Sequence, residues 1–467
     1  MMRNSTLVMS SLHHAPVKAH LFPGDGKEAA VILLCSRISG GERIKLLVHD
    51  YVLVPYDGCD RHPDFLSWSS VFVEQALDLA DQDDLSIILL HSHPGGLFAF
   101  SHADLESDAT VMPAIFAARS KGRTEPILHG SAIMLASGVM RAQLYDEGCS
   151  AEPVDLIAVY GEDIRFFWNP DKFTSTIADR PLAFSNAMGN ELGHLSACVV
   201  GVSGTGSLVA EQVARLGFGE VILIDYDRVE KKNLNRILNS TLNDANVGRL
   251  KVDVISDAIH SFRTNVSVKV VPFGVGCNDA IMQASLADVV FCCVDSQEGR
   301  QICDLMASAF LQPLFDVGVT IPVRQSRPET FSILDVVGRV DYVWPGGSTL
   351  ANRGVFTPSS VAAEYLARTD PVAHAARVLE GYMPGSHEEA PSVISLNMLA
   401  ASTSVMEFIA RAFPFRHDPN SLRARTQFSL AACEEEYTAE TDFVVTKNPT
   451  LGTGLKRPLL GLPFIEG

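Results

Sequence analysis

The feature that most restricts the fold is a glycine-rich turn near the middle of the chain. It contains Gly201, Gly204 and Gly206. Residue patterns around it indicate a strand, a helix and a second strand, over 197–200, 207–216 and 221–224. Two apolar strands joined through a helix predict a βαβ unit, and hence a parallel sheet.

The same turn is suited to bind a phosphate. Glycines allow backbone N–H groups to approach an anion at the N-terminus of the helix, and an acid after the second strand can hold a ribose. Asp225 and Asp227 occupy that position. Apolar runs at 286–294 and 313–319 predict further strands of the sheet. Taken alone, this pattern fits an NAD dehydrogenase as well as an ATP site.

A second region contains three potential metal ligands. Residues 86–93 have the apolar pattern of a strand, so His91 and His93 project from the same face. Ser101 is the predicted N-cap of the following helix, which places Asp104 in the first turn, facing the histidines. Two imidazoles and a carboxylate leave the fourth position of a zinc ion open for water, as in catalytic zinc sites.

The spacing His-x-His, seven residues, Ser, two residues, Asp resembles that of the JAB/MPN (JAMM) metalloproteases. These enzymes cut isopeptide or peptide bonds after the C-terminal glycine of ubiquitin-like proteins. The resemblance implies zinc held by His91, His93 and Asp104, with Ser101 helping to hold the oxyanion. It also implies an upstream glutamate that takes a proton from the attacking water, and Glu28 stands at that place.

The glycine turn is followed by an ordered set of polar residues, namely Asp225, Asp227, Asn233, Arg236, Lys251 and Asp295. Together with the turn, this set resembles the ThiF/MoeB and ubiquitin-activating adenylation family. The resemblance implies that Asp225 holds the ribose, with Asp227 beside it in the nucleotide site. It further implies that Asn233, Arg236 and Lys251 meet the phosphates and that Asp295 holds magnesium.

Adenylation explains why cations are needed there. Attack of a carboxylate on the α-phosphate of ATP brings two anions together, so Arg236, Lys251 and Mg²⁺ would neutralise the crowded transition state. In the family an arginine from the other subunit often reaches the phosphates. Arg180, about twenty residues before the turn, is the candidate for it.

Composition limits the class of partner and the compartment. A net charge of −18 and a pI near 5.2 disfavour a nucleic-acid partner. Nine scattered cysteines without a Cys-x-x-Cys predict a reducing cytoplasm. We expect neither a signal peptide nor a transmembrane span.

The resulting fold class is α/β in both halves, as 467 residues allow for two or more domains. We predict a JAB/MPN (cytidine-deaminase-like) domain over 1–167 and a linker over 168–193. A Rossmann-like ThiF-type adenylation domain with a mostly parallel sheet is predicted over 194–467.

One departure from the family concerns the acyl acceptor. Relatives commonly carry a Cys-x-x-Cys pair after a Pro-Gly turn, whereas the run after Pro345 has no cysteine. Three alternatives stay open: the reaction stops at the acyl-adenylate, Cys433 accepts the acyl group, or Ser348 or Thr349 accepts it as an ester.

Both resemblances together suggest a bifunctional enzyme of a bacterial ubiquitin-like pathway, with zinc, ATP and magnesium as cofactors. Its partners would be a modifier ending in glycine, a conjugating enzyme and a second copy of the chain. Antiviral defence is a setting implied by resemblance alone. Two alternatives are adenylation of a sulfur carrier and a non-catalytic JAB docking platform on an activating enzyme.

Overall fold

The computed structural model describes two large mixed sheets and the helices that cover them. The residues it describes are 5–41, 43–119, 127–171, 185–327, 330–379 and 393–465. Within them, no helix combines the length and the apolar character that crossing a membrane requires.

The first sheet has nine strands in the order β11-β10-β1-β3-β2-β6-β7-β8-β9. Elements of this half are β1 (Ser5–Ser10), α1 (Ser11–Leu21), β2 (Ala30–Gly40), β3 (Arg43–Leu53), β4 (Cys59–Arg61), β5 (Leu66–Trp68), α2 (Val71–Gln82), β6 (Ser86–Ser92), α3 (His102–Arg119), β7 (His129–Met134), β8 (Met140–Tyr145), β9 (Ala151–Pro153), β10 (Leu156–Tyr160) and β11 (Ile164–Trp168).

The central strand β2 shows why this sheet needs helices on both faces. Its first six residues are apolar and fully or almost fully buried. Val31 and Leu33 join one apolar cluster with α1, while Ile32 and Leu34 join another with α2 and α3. Because side chains alternate across a strand, an unbroken apolar run demands cover on both sides.

The second sheet has eight strands in the order β14-β13-β12-β15-β16-β19-β20-β21. Elements of this half are α4 (Asn186–Leu192), β12 (Ser196–Val200), α5 (Gly204–Leu216), β13 (Glu220–Ile224), α6 (Leu242–Val247), α7 (Lys251–Phe262), β14 (Ser267–Val271), α8 (Asn278–Ser285), β15 (Val289–Cys292), α9 (Gln297–Ala309), β16 (Leu314–Thr320), β17 (Val323–Arg327), β18 (Thr330–Ile333), β19 (Val337–Val343), α10 (Pro358–Thr369), α11 (Pro371–Leu379), α12 (Ile394–Ala412), β20 (Arg425–Ser429) and β21 (Glu434–Thr438).

This sheet is parallel in only one part. Strands β14, β13, β12, β15 and β16 pair in parallel, in agreement with the predicted βαβ units. The remaining strands β19, β20 and β21 pair antiparallel and form a wing beside β16. No pattern in the sequence predicted this antiparallel wing. Because of it, the sheet is mixed and not mostly parallel along its whole width.

The two halves share one apolar core. Val8, Leu47 and Leu156 of the first sheet lie in the same cluster as Val199 and Phe291 of the second. Burying apolar surface between the sheets stabilises their mutual position.

Polar contacts fix the same interface. Lys45 of β3 donates to the carbonyl of Ser285 at 3.3 Å, and the hydroxyl of Tyr342 donates to the carbonyl of Gly161 at 2.6 Å. The stretch predicted as a linker contributes too, since the indole of Trp168 donates to Glu191 of α4 at 3.0 Å. The halves are therefore packed against each other as one folded unit.

Candidate functional site

The histidines and Asp104 converge where β6 ends. The Nε2 atoms of His91 and His93 lie 3.0 Å apart. Asp104, in the first turn of α3, approaches them with its two carboxylate oxygens at 3.2 and 3.4 Å. Within the described residues these three form a group whose ligand atoms suit a metal ion. Zinc–ligand bonds near 2.0 Å in a tetrahedron place ligand atoms about 3.3 Å apart, so the spacing fits zinc.

Hydrogen bonds around the ligands fix their orientation. The Nδ1 of His93 faces the carbonyl of Leu97 at 2.8 Å. A carbonyl only accepts, so Nδ1 carries the proton and Nε2 keeps its lone pair for a metal. Asp104 accepts the Ser101 N–H at 2.6 Å. Burial would raise the pKa of Asp104, but the two imidazoles, when protonated, outweigh it by hydrogen bonding to the carboxylate and hold that pKa well below its usual range.

Ser101 takes the predicted place at the start of α3. Its hydroxyl oxygen accepts the Asp104 N–H at 3.1 Å, which is the reciprocal half of an N-terminal capping box. A hydroxyl that accepts in this way retains its own hydrogen as a donor. That donor is what stabilisation of an oxyanion requires.

Glu28 lies next to the three ligands. It precedes β2, which pairs with β6 so that Ala30 stands opposite His91. The residue is buried, and burial raises the pKa of its carboxyl, while His91 and His93 act in the opposite direction. A buried carboxylate beside a candidate metal site is of the type that can serve as a general base.

The nucleotide-type residues gather at the carboxyl end of the parallel strands. Gly201 follows β12 and donates its N–H to Ile224 at the end of β13, at 2.9 Å. On the other side, the N–H of Cys293 after β15 donates to Val200 at 2.8 Å. Strand order reverses between β12 and β15, and open α/β sheets bind ligands at such a crevice.

Backbone packing in the turn demands glycine at two positions. Gly201 has φ +83°, and a Cβ at Gly206 would lie 1.8 Å from the carbonyl oxygen of Gly201. The helix α5 begins at Gly204, three residues earlier than the pattern predicted. Its first N–H groups are therefore contributed by the glycine turn itself, as an anion site requires.

The acids after β13 are held by hydrogen bonds. Asp225 is buried and accepts the N–H groups of Val202 at 2.7 Å and Asp227 at 2.8 Å. Burial raises the pKa of Asp225, and the nearby Lys251 opposes that shift. The ammonium of Lys251 donates to Asp227 at 2.7 Å. Asp225, Asp227 and Lys251 thus form one charged cluster beside the turn.

Asn233, Arg236 and Asp295 occupy loops around the same crevice. The buried Asn233 accepts the Glu230 N–H at 3.0 Å and caps a short 3-10 turn. Arg236 borders the glycine turn, since a Cβ at Gly204 would lie 3.2 Å from its Cδ. Asp295 is exposed between β15 and α9. Arg180 lies outside the described residues.

The candidate acyl acceptors lie at opposite ends of the strands of the second sheet. Ser348 and Thr349 follow β19, whose end pairs with the start of β16, away from Asp295. The Ser348 hydroxyl is fully buried and accepts from Arg353 at 2.8 Å, so it is not available for acylation. Cys433 is exposed at the β20–β21 turn, on the edge where β16 ends.

Comparison with known proteins identifies part of the second half. Residues 179–336 match the model of the ThiF family. The match includes the glycine turn, Asp225, Arg236, Lys251 and Asp295, and it leaves the metal-site residues outside it.

The sequence relatives named here are ubiquitin-like modifier-activating enzymes. The chain is 32% identical to ubiquitin-like modifier-activating enzyme 5 of Caenorhabditis elegans over 159 residues, which is 32% of this chain and 34% of the relative. It is 29% identical to the Bombyx mori protein of the same name over 169 residues, 34% of this chain and 39% of the relative. The chain thus spans little more than a third of these relatives' length.

Among solved structures, the chain is similar to E. coli MccB with ATP, at 16% identity and a TM-score of 0.42. That similarity covers 58% of this chain and 70% of MccB.

One residue beside the turn was not assigned a role from the sequence. Asn397 of α12 is buried, and its side-chain nitrogen would lie 2.2 Å from a Cβ at Gly204. It comes from nearly two hundred residues beyond the ThiF-type turn. No short-range pattern could have linked the two, although a polar residue on the apolar pattern of α12 is a signal of a buried polar contact.

Proposed function

We propose that this chain is an ATP-dependent adenylyltransferase of the ubiquitin-like modifier-activating type, joined to a zinc-dependent peptidase. The observation that carries the first activity is the gathering of the glycine turn, Asp225, Arg236, Lys251 and Asp295 at one sheet edge inside the ThiF match. This arrangement offers an anion site, a ribose acceptor and cations in one crevice.

In the proposed reaction a C-terminal carboxylate attacks the α-phosphorus of ATP. A new O–P bond forms, the bond to pyrophosphate breaks, and the products are acyl-adenylate and pyrophosphate. Backbone N–H groups of the turn bind phosphate, Asp225 holds the ribose, and Arg236 and Lys251 balance the charge of the transferring group. Magnesium would be held by Asp295, where it would neutralise phosphate charge.

The partner class follows from the activity. We propose a ubiquitin-like protein that ends in glycine as the carboxylate substrate. After adenylation the reaction stops at the acyl-adenylate or passes the acyl group to Cys433 or Thr349, whereas Ser348 is buried and accepts a hydrogen bond from Arg353. A homodimer through the adenylation half and a conjugating-type partner belong to the same proposal.

The proposed peptidase rests on the metal-site geometry. Three ligand atoms at zinc spacing, Glu28 beside them and the Ser101 hydroxyl at the helix start support hydrolysis of a peptide or isopeptide bond after glycine. When bound, zinc would polarise the scissile carbonyl. Glu28 would take the proton of the attacking water, and Ser101 would donate to the oxyanion.

ATP–pyrophosphate exchange tests the adenylation. With a panel of ubiquitin-like proteins ending in glycine, we expect exchange that depends on one member. Asp295→Ala should lower the rate by about 100-fold or more, because charge stabilisation at the transferring group is lost. Asp257→Ala, at an exposed acid of α7, is the control and should exchange normally. Exchange that survives Asp295→Ala would contradict its assignment, and a requirement for a sulfur donor would favour sulfur-carrier activation instead.

Cleavage of a modifier precursor tests the peptidase. Glu28→Gln should keep zinc and lose cleavage, since the ligands remain and the base does not. Zinc content and cleavage are measured on the same samples. A wild-type protein that binds zinc and leaves every precursor uncut would point to a docking platform.

A further inference from the structure

A hairpin next to the proposed metal centre forms hydrogen bonds with the backbone of Glu28. The hairpin consists of β4 and β5, which pair antiparallel. Arg61, the last residue of β4, donates from Nε to the carbonyl of Glu28 at 2.6 Å. In the opposite direction, the N–H of Glu28 donates to the carbonyl of His62 at 2.9 Å. Both backbone polar groups of Glu28 are thus bonded to one hairpin.

Arg61 is itself fixed on several sides. Its terminal nitrogens donate to the carboxylate of Asp25 at 2.9 and 3.3 Å and to the carbonyl of Lys27 at 3.4 Å. Its guanidinium lies 4.2 Å from the centre of the Tyr56 ring. Only 8% of its side chain is exposed. A planar guanidinium held in this way orders the segment that leads into Glu28.

The position of Glu28 depends on such contacts because the residue lies ahead of β2. The next residue, Ala29, is tied to Ser92 in both directions, at 2.9 and 3.0 Å. Ala29 is therefore anchored to the strand that carries the metal ligands, and the Arg61 hairpin anchors Glu28 from the other side. Where the Cα of Glu28 sits decides where its carboxyl can reach.

We propose that Arg61 is a positioning residue that aligns Glu28 for proton transfer, an inference that rests on the proposed peptidase. The ion pair with Asp25 alone would contribute little, because water reaches the Asp25 carboxylate, which is 40% exposed. The bond to the Glu28 carbonyl gives Arg61 a different role. It makes the hairpin part of the apparatus that holds the general base.

A double-mutant cycle tests this on the zinc-loaded full chain, with a peptide ending in Gly-Gly joined to a fluorescent amine as the probe. We expect Arg61→Ala to lower kcat by about 10- to 100-fold, with KM and zinc content unchanged, because small misplacements of reacting groups are costly. In the Glu28→Gln background, the residual cleavage, slowed by about 100- to 10,000-fold, should not fall further with Arg61→Ala. Equal losses in both backgrounds would overturn the proposal, since a purely structural role acts regardless of the base.

Two comparisons sharpen the cycle. Arg61→Lys keeps the charge but not the planar guanidinium, so we expect its kcat to lie between those of Arg61→Ala and the wild type. Arg37→Ala is the matched control, because Arg37 also links an aspartate, Asp84, at 2.9 Å and has a largely buried side chain, yet it does not contact Glu28. A loss of kcat with Arg37→Ala as large as that with Arg61→Ala would overturn the assignment.

Hydrogen exchange decides the point independently of cleavage. In Arg61→Ala the amide of Glu28 should exchange at least about 10-fold faster, while amides of β6 keep their protection. Unchanged protection of Glu28 would overturn the proposal. If the wild type cut no peptide, the proposed peptidase would fail, and hydrogen exchange would still report whether Arg61 holds Glu28.

Discussion

The proposed metal centre and the proposed nucleotide site are assembled in opposite ways. The three candidate ligands and Ser101 come from fourteen consecutive residues, 91–104, and the ligand atoms of the three lie close to one another. The proposed nucleotide site draws on residues from Gly201 to Asp295 and on three strand ends, with Asn397 of α12 beside Gly204. Its most constrained part is backbone, not side chain.

This difference decides which substitutions each site tolerates. A site made of interlocked side chains depends on the chemistry of each ligand, because a metal needs a defined set of donor atoms. A site made of a tight backbone turn depends on volume, because an added methyl group displaces the chain.

Replacing one ligand should disable the metal centre alone. We expect Asp104→Asn to weaken zinc binding by more than about 100-fold. Residues that only hydrogen-bond to a metal ligand already contribute about 10- to 100-fold to affinity, and a ligand itself should contribute more. An asparagine keeps the shape of the helix start but not the anionic oxygens. Zinc titration and ATP–pyrophosphate exchange are the measurements, and exchange should remain.

The matched control for that variant is Glu106→Gln, at an exposed position of the same helix. It should bind zinc like the wild type. Retained zinc affinity in Asp104→Asn would show that the centre does not use this carboxylate, and lost exchange would show that the two sites are not separable.

Adding one methyl group should disable the nucleotide site. The Cβ of Gly206→Ala would stand 1.8 Å from the Gly201 carbonyl oxygen, so the turn must open. We expect weaker ATP binding by at least about 10-fold and a loss of about 1–3 kcal/mol in unfolding free energy. Calorimetric ATP titration and urea unfolding measure the two effects.

The same substitution in the metal half provides the control. At Gly95, in the turn after the histidines, an added Cβ would contact nothing within 4 Å. Gly95→Ala should therefore bind ATP normally and change unfolding free energy by no more than about 0.5 kcal/mol. If Gly206→Ala bound ATP equally well, the turn would not be the constraint we describe.

The local parts of both proposed sites could be predicted from short stretches of sequence. Extended backbone from His91 in β6 to His93, the residue after the strand, places both side chains on one face, and the helix start places Asp104, so short-range rules suffice. The strand–turn–helix order likewise predicted the glycine turn. The helix was placed too late because glycine is a poor helix former, whereas the first turn needs few helical hydrogen bonds.

Contacts between distant segments could not be predicted. The hydrogen bond from Arg61 to the carbonyl of Glu28 depends on how a hairpin folds back over the start of β2. The antiparallel wing depends on pairing between β19 and β20, which are separated by three helices in the chain. Such pairings are set by tertiary packing, which overrides local propensity.

The shared core predicts that the two contrasting sites unfold together. Tyr342 is buried, and its hydroxyl donates to Gly161 across the interface at 2.6 Å. Tyr342→Phe leaves a buried carbonyl without this partner, so we expect a loss of about 1–2 kcal/mol in unfolding free energy. Because both sheets contribute to one apolar cluster, unfolding should remain a single transition. Thermal unfolding is measured with ATP present and with zinc present, and Tyr342→Phe should lower the midpoint temperature by the same amount in both cases.

Tyr437→Phe, at an exposed tyrosine of β21, is the control and should change the midpoint temperature little. Two separate transitions, with only one displaced by Tyr342→Phe, would mean that the two halves unfold as independent units. The two proposed sites would then differ in stability as well as in how they are built.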